Sequence, residues 1–359
     1  MLKNKISPIQ LAILSIFLLN AFFTTGLCTY LLETNATNII LTIILGSFIG
    51  YIFLKIFLYL IINNKDKNIF ELLNVTFPKS LSSLLKVLLL IAVTIISIYV
   101  LHNISLFINN TLLNDIDILP ISILFIIATS YLSSKGIKTI ITASGIFIFI
   151  ALIFNIVIGI TLIPYINTEN IRPLVINPDL NIILKSLNYA FITLAPIFLL
   201  LTITPNKIAN IDKYQKYQKI IYTVITVYII FKILLILSIL GITYFSILTY
   251  PEIDILKKVS LLNFIEKIED NSLTNILINN FIILSISIHY LKECFISTFK
   301  IKKDSKIILP IISLGIIILS NCYRLTNINY LFYASLTIVV IHFFILLISI
   351  TKRKKTLKN

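Results

Sequence analysis

Charged residues are scarce in this chain, and glycine and cysteine are rare as well. Only 13% of the 359 residues are charged, 58% are hydrophobic, and the mean hydropathy is +1.01. A soluble domain of this length needs a polar surface, which so few charges cannot supply, whereas long apolar runs are typical of integral membrane proteins. The composition therefore excludes an ordinary soluble globular protein.

The three cysteines, Cys28, Cys294 and Cys322, are far apart and form no Cys-x-x-Cys pair. No His/Cys spacing is suited to a metal ion, so the sequence predicts neither a disulfide framework nor a metal site. It also contains no recognisable nucleophile–base pair and no glycine-rich phosphate loop. We therefore expect no catalytic residue, no metal and no cofactor, and we expect that the protein is not an enzyme.

Acidic residues are also few, 15 against 30 Lys and Arg, which leaves a net charge of +15. A nucleic-acid partner would require a basic folded domain or a basic helix with interleaved aromatics, and the sequence has neither. The charges lie instead in short loops between apolar runs, a pattern that indicates membrane topology. The lipid bilayer, and not nucleic acid, is the expected surrounding of this chain.

Ten apolar runs alternate with these loops, and together they occupy most of the chain. A transmembrane helix needs roughly 20 apolar residues to cross about 30 Å of hydrocarbon, and helices satisfy their own backbone polar groups in lipid. The sequence therefore predicts one all-α integral membrane domain with about ten spans. The predicted spans are 8–31, 37–63, 81–107, 117–133, 137–163, 184–203, 218–247, 272–298, 307–322 and 328–350.

Lysine and arginine are distributed unevenly between alternate loops. If the N-terminus is cytoplasmic, the cytoplasmic segments hold 20 basic residues and the outer segments hold five. This positive-inside bias predicts that both termini are cytoplasmic, with a basic tail at 351–359. It also agrees with an even number of spans.

Two connections, 64–79 and 249–271, are long enough to hold a helix. Each contains an apolar stripe at helical spacing. They follow the second and the seventh span, so they occupy equivalent places in two five-span halves, about 8–163 and 184–350, on opposite sides of the membrane. This arrangement favours an inverted-topology repeat over the alternative of two unrelated interfacial helices. The stripe residues are Ile69, Leu72, Leu73 and Phe77 in the first connection, and Leu261, Phe264, Ile265 and Ile268 in the second.

In a five-plus-five inverted repeat, the first span of each half is often interrupted, and the exposed backbone groups can hold a small polar ligand. The first span contains two threonines and a glycine, and the sixth contains a proline, which weakens a helix. The alternative is an ordinary proline kink and a glycine packing contact. The expected ligand-binding residues are Asn20, Phe22, Thr24, Thr25, Gly26, Thr193, Leu194, Ala195 and Pro196.

Few ionisable residues lie inside the predicted spans. Lys232 falls near the centre of the seventh span, where a charge is costly unless it faces a cavity or a partner. It is therefore a candidate for coupling or gating, and snorkelling to the interface is the alternative. His289 in the eighth span is a second candidate, although an interhelical hydrogen bond is the simpler interpretation. No Asp or Glu lies deep in a span, which disfavours proton coupling through a carboxylate.

Several short elements, taken in order, resemble the spore germination permease family of the amino acid–polyamine–organocation transporter superfamily. The resemblance covers nearly the whole chain. Its elements are Ile6-Ser7-Pro8-Ile9-Gln10, Leu119-Pro120, Gly136-Ile137, Ile171-Arg172-Pro173, Gly241, Tyr250-Pro251, and Phe264-Ile265-Glu266-Lys267-Ile268-Glu269.

The resemblance implies the B subunit of a spore germinant receptor, with a LeuT-like fold in which helices one and six are broken. Such a subunit would lie in the spore inner membrane beside an A and a C subunit. It would bind a small germinant, often an amino acid, and trigger germination. An amino acid/proton symporter and a partner-dependent ion or water channel remain open as alternatives.

The outer segment before the eighth span carries Glu266, Lys267 and Glu269. The two glutamates are three residues apart and share one helical face. They could form a latch with Arg172 of another outer loop or with a partner subunit. A solvated polar face, on which ion pairs contribute little, is the alternative.

Overall fold

The computed structural model describes residues 5–23, 27, 30–31, 38–113, 116–172, 180–245, 248, 250–258, 269–302, 307–321 and 327–356. Within these ranges the protein is all-helical, apart from one isolated β-bridge. The α-helices are α1 (Pro8–Asn20), α2 (Ile39–Asn63), α3 (Ile69–Thr76), α4 (Lys79–Thr111), α5 (Ile118–Ser134), α6 (Ile137–Leu162), α7 (Asn181–Phe198), α8 (Ile211–Phe245), α9 (Pro251–Lys258), α10 (Glu269–Phe299), α11 (Ile308–Ser320) and α12 (Ile328–Thr356).

Among the described residues, seven helical segments are long and apolar enough to cross a membrane. They correspond to α2, α4, α6, α7, α8, α10 and α12, which makes the chain a multi-pass membrane protein. The other three predicted spans correspond to the shorter apolar helices α1, α5 and α11, which have 13, 17 and 13 residues. A helix of 13 residues rises about 20 Å, which is less than the hydrocarbon thickness.

Both predicted connecting segments contain a short helix. In the first, the side chain of Asn68 accepts a hydrogen bond from the backbone of Glu71 while the Glu71 carboxylate accepts one from the backbone of Asn68, and this capping box starts α3. The predicted stripe residues Ile69, Leu72 and Leu73 are buried. In the second segment, the described helix is α9, whereas Leu261, Phe264, Ile265 and Ile268 lie outside the described residues.

A buried lysine joins α3 to the long helices. Lys86 of α4 is 3% exposed, and its ammonium donates to Asn74 Oδ1 in α3 at 2.6 Å and to the Ser297 carbonyl of α10 at 3.3 Å. Two acceptors thus compensate the removal of this charge from water. The short helix is therefore fixed to α4 by a polar contact as well as by its apolar face, and the same lysine ties α4 to α10.

The long helices pack as an interlocked bundle. Helix α1 lies along α8 and also contacts α6, while α2 lies along α7, which in turn contacts α12. Helices α4 and α10 pack against each other, α4 also packs on α12 and α11, and α10 also packs on α6 and α5. The core is formed by leucine, isoleucine and phenylalanine side chains from nearly every helix. Helices α1, α6, α8 and α10 thereby enclose one side of the bundle.

Helix α8 contains one break that shapes this side of the bundle. Gly241 has φ 72° and ψ 163°, a conformation that glycine adopts far more readily than other residues. The break leaves the carbonyl of Ser238 available, and it accepts hydrogen bonds from the Asn167 backbone at 3.1 Å and from Asn170 Nδ2 at 2.9 Å. The loop after α6 is thereby held against α8.

Candidate functional site

Helix α1 ends at Asn20, within the predicted first span. The following residues Ala21 and Phe22 form a turn, and the N–H of Leu27 donates to the Phe22 carbonyl at 3.2 Å. This five-residue spacing is wider than that of an α-helix, and such π-type turns often occur at functional sites. The predicted binding residues Thr24, Thr25 and Gly26 lie outside the described residues.

The sequence predicts a break in α7 at Thr193–Pro196, but the α-helical geometry continues through these residues. The α-helix continues through Leu194, Ala195 and Pro196 to Phe198, and a 3₁₀ helix follows at Leu199–Thr202. Pro196 lacks the N–H that would bond the Ile192 carbonyl, yet the loss of this one bond does not end the helix. The change of geometry therefore comes three residues beyond the proline.

A cavity of about 560 Å³ lies between α1, α6, α8, α9 and α10. Most of its wall surface is apolar, but eight of its 17 lining residues are polar or ionisable, a combination that suits a small-molecule site. The apolar lining residues are Ile16, Phe17, Ile148, Ala151, Leu152, Ile156, Ile158, Val224 and Ile225. The polar or ionisable ones are Asn20, Asn155, Tyr228, Lys232, Glu252, Ser272, Asn275 and Asn279.

An ion pair in this cavity joins α8 to α9. Lys232 Nζ lies 2.6 Å from Glu252 Oε2, and the two side chains are 21% and 11% exposed. The ammonium also lies 5.8 Å from the Phe23 ring centre and 5.9 Å from that of Tyr228. The predicted coupling residue Lys232 therefore faces a cavity and a carboxylate.

Three buried oxygen atoms of cavity-lining residues have no hydrogen-bond partner in the described part of the chain. They are Asn20 Oδ1, Glu252 Oε1 and Asn275 Oδ1. A buried acceptor without a donor costs about 1–3 kcal/mol, so such atoms are unusual unless something else binds them. Two other polar residues of the cavity are already paired, since Tyr228 donates to Asn155 Oδ1 at 2.7 Å.

Thr193 does not line this cavity, although Asn20 does. It borders a void of only about 10 Å³, shared with Leu19, Tyr189 and Tyr222, which is about the space of one water molecule. Its hydroxyl donates to the carbonyls of Tyr189 at 2.8 Å and Ala190 at 3.2 Å in its own helix. Asn20 and Thr193 thus border different spaces.

The remaining predicted residues are dispersed. Phe22 is buried and packs edge-on against Tyr99, with ring centres 6.3 Å apart. His289 is also buried, and its Nδ1 has no hydrogen-bond partner among the described residues. Arg172 is exposed at the end of the loop that is held against α8.

The predicted latch joins Arg172 to the outer segment that carries Glu266, Lys267 and Glu269. Glu266 and Lys267 lie outside the described residues, and Glu269 begins α10 with its side chain outside the description. The latch between these residues and Arg172 therefore stays a prediction.

Glu252 is the functional candidate that the sequence did not indicate. It lies outside the predicted seventh span, so only its position in the fold shows that it meets Lys232. Asn275 and Asn279 could have been found, because two buried-type amides four residues apart in an apolar helix share one face. No group of three or more His, Cys, Asp or Glu residues suited to a metal ion occurs in the described ranges.

Comparison with known proteins adds one finding. A family model described as "Spore germination protein" matches residues 5–329. The match extends from the residues before α1 to the start of α12 and includes all residues that line the cavity. No curated protein matches the chain.

Proposed function

The chain belongs to the spore germination protein family, and we therefore propose that it is the nutrient-sensing B subunit of a spore germinant receptor. In this proposal it binds a small germinant such as an amino acid inside the membrane, and binding triggers germination. The family comprises germinant-receptor and permease proteins and is not a class of enzymes. The observation that carries the proposal is the cavity that contains Asn20, the Lys232–Glu252 ion pair and three buried oxygens without donors.

We further propose a five-plus-five inverted repeat in which α1–α6 correspond to α7–α12. If each helix of one half is replaced by its equivalent in the other half, six helices away, the α1–α8 contact becomes α7–α2. In the same way, the α4–α12 contact becomes α10–α6. The same shift turns α1–α6 into α7–α12 and α5–α10 into α11–α4, and all of these pairs pack together. The short helices α3 and α9 are then equivalent, as are the first helices α1 and α7. These correspondences support the repeat and one transmembrane domain of ten spans.

The distribution of basic residues supports an orientation with both termini in the cytoplasm. Twenty Lys and Arg residues then lie in cytoplasmic segments and five in outer segments. With ten spans, α3 would lie at the cytoplasmic face and α9 at the outer face, so the cavity beside α9 would be closer to the outer side. A germinant that enters from outside would reach this cavity first.

The chemistry of the cavity fits an amino acid with an aliphatic side chain. Its isoleucine, leucine and valine walls can bury an apolar group, while Lys232 and the unpaired oxygens offer partners for a carboxylate and an ammonium. A receptor of this family would act with an A subunit and a C subunit, which are the partners that we propose. Ligand binding would generate a signal by favouring one conformation of the repeat over another.

One observation favours a second candidate, an amino acid/proton symporter. The sequence places no carboxylate deep in a predicted span, but the fold brings Glu252 to Lys232 inside the cavity. A titratable pair in contact with a substrate site is the usual requirement for proton coupling. Accumulation of leucine by liposomes that contain the purified chain and carry a proton gradient would support this function over sensing alone.

The site assignment predicts different effects for Asn20 and Thr193. We expect Asn20→Leu to weaken leucine binding by about tenfold to a hundredfold, because it removes an acceptor for the charged ammonium. Thr193→Val should leave binding nearly unchanged, since the Thr193 hydroxyl bonds only carbonyls of its own helix in the described structure. The measurement is equilibrium binding of radiolabelled L-leucine to the full chain in lipid nanodiscs, followed by germination assays of spores that carry each variant.

Both variants must be present in the membrane at the wild-type level for the comparison to hold. If Thr193→Val abolishes leucine binding and Asn20→Leu does not, the ligand binds between α1 and α7 and the cavity assignment is wrong. If neither variant alters binding or germination, neither predicted group of residues contributes to the site.

A further inference from the structure

Helix α9 is held on two sides by different kinds of contact. Its apolar residue Ile253 packs with Ile104 and Phe107 of α4 and Leu273 and Ile276 of α10 in one cluster. On the cavity side, the ion pair from Glu252 to Lys232 ties α9 to α8. Unlike the apolar cluster, this ion pair borders the cavity, so a bound molecule could contact it.

The backbone geometry explains why α9 lies so close to Lys232. Gly241 is nine residues beyond Lys232, about 14 Å along an ideal helix, and its positive φ ends the regular path of α8. Pro251 then starts α9, with Glu252 in its first turn. The fold thus returns a carboxylate to the level of the lysine, which a straight continuation of α8 would not do.

Glu252 uses only one of its carboxylate oxygens in this pair. Oε2 accepts from Lys232, whereas Oε1 is buried without a partner in the described part of the chain, as are Asn20 Oδ1 and Asn275 Oδ1. All three residues line the same cavity. Three acceptors without donors are suited to a ligand ammonium, which has three N–H groups to donate.

The charge balance of the cavity selects the net charge of its ligand. Lys232 and Glu252 are the charged residues among the described cavity-lining set, and their charges cancel. A ligand with one net charge would leave that charge uncompensated in a poorly solvated place, which is costly. A zwitterion keeps the cavity neutral and supplies a partner to each member of the ion pair.

We infer that a zwitterionic ligand exchanges with the Lys232–Glu252 ion pair and so releases α9 from α8. The ligand ammonium binds Glu252, Asn20 and Asn275, and its carboxylate binds Lys232 in place of Glu252. The direct contact between the two helices becomes a contact through the ligand, and α9 moves away from α8. This inference rests on the proposed ligand cavity and adds the trigger residue Glu252 and the helix that carries the signal.

Hydrogen-exchange mass spectrometry of the full chain in lipid nanodiscs tests the inference, with three probes of nearly equal size. We expect saturating L-leucine to increase amide exchange in residues 250–258. L-leucine methyl ester carries only the positive charge and N-acetyl-L-leucine only the negative charge, so neither should bind comparably or increase exchange. If either analogue binds as tightly as leucine, the ligand does not need both charged groups, and the inference that it replaces both sides of the ion pair is wrong.

Two variants distinguish the role of the ion pair in holding α9 from the role of Glu252 in binding the ligand. Glu252→Gln should raise exchange in residues 250–258 without any ligand and should weaken leucine binding by about tenfold to a hundredfold. The charge swap Lys232→Glu/Glu252→Lys should restore slow exchange without ligand but not leucine binding, because Asn20 and Asn275 would then face a lysine. Slow exchange in ligand-free Glu252→Gln would show that the ion pair does not hold α9.

The outcomes distinguish this inference from the proposed function. If wild-type chain binds leucine and exchange in residues 250–258 stays the same or decreases, the release of α9 is wrong while the cavity stands as a binding site. If neither leucine nor any other amino acid of the standard set binds, the proposed function fails and the inference fails with it.

Discussion

Replacing Lys232 with methionine is expected to lower the free energy of unfolding by about 1–3 kcal/mol, which is less than for a fully buried ion pair because the two side chains keep 21% and 11% of their exposure. The variant leaves the Glu252 carboxylate, 11% exposed, without the ammonium that lies 2.6 Å away in the native protein. The carboxylate would then lie unpaired in a largely apolar cavity, on a helix whose residue Ile253 is packed against α4 and α10. Denaturant titration of the purified chain in mixed micelles, followed by circular dichroism, measures the change.

The double variant Lys232→Met/Glu252→Leu should recover most of this loss, because an apolar pair of similar volume replaces both charges. Lys55→Met provides a matched control. Lys55 is exposed on α2 beside Tyr51, and surface substitutions usually change stability by less than about 0.5 kcal/mol. A loss in the double variant equal to that in Lys232→Met would contradict the account, since the unpaired carboxylate would not be the cause.

The second large effect is expected at Gly46, where α2 and α7 come into close contact. A Cβ atom at this position would lie 2.6 Å from the Ser186 carbonyl oxygen and 2.8 Å from the Tyr189 ring. A carbonyl oxygen in a helix cannot rotate away, so Gly46→Ala must separate the two helices. We expect a loss of about 1–3 kcal/mol, as for other overpacked sites, together with a lower melting temperature in detergent.

Gly145→Ala in α6 is the matched control, because a Cβ there meets no other atom within 4 Å. Alanine is favoured over glycine in a helix by roughly 0.5–1 kcal/mol, so this variant should be neutral or slightly more stable. The two identical substitutions are thus expected to act in opposite directions. Equal melting temperatures for both variants would show that α2 and α7 are not closely packed at Gly46.

The helices themselves could be predicted well from the sequence, because apolar run length and periodicity are local properties. The short helix α3 is confirmed with its stripe of Ile69, Leu72 and Leu73. The ends of helices were less predictable. The end of α1 at Asn20 agrees with the interruption predicted in the first apolar run, whereas α7 continues through the break predicted at Thr193–Pro196, because one proline does not by itself end a helix.

The candidate site was only partly predictable. Asn20 and Lys232 were identified from the sequence, and the structure brings both to one cavity. Thr193 was expected beside Asn20 but borders a separate small void, because the rotation of α7 about its axis is set by packing on α2 and α12. Glu252 was missed, since its distance from Lys232 depends on a turn that hydropathy does not describe.

The sequence by itself determined that this is a helical, multi-pass membrane protein, since the lengths and apolarity of its runs leave no other way to satisfy the backbone in lipid. It also determined that a lysine lies inside a span, where a charge requires a partner. Only the tertiary structure decided which partner that is. The positive φ of Gly241 and the packing of α9 between α4 and α10 return Glu252 to Lys232, because contacts between residues of different helices depend on how those helices pack.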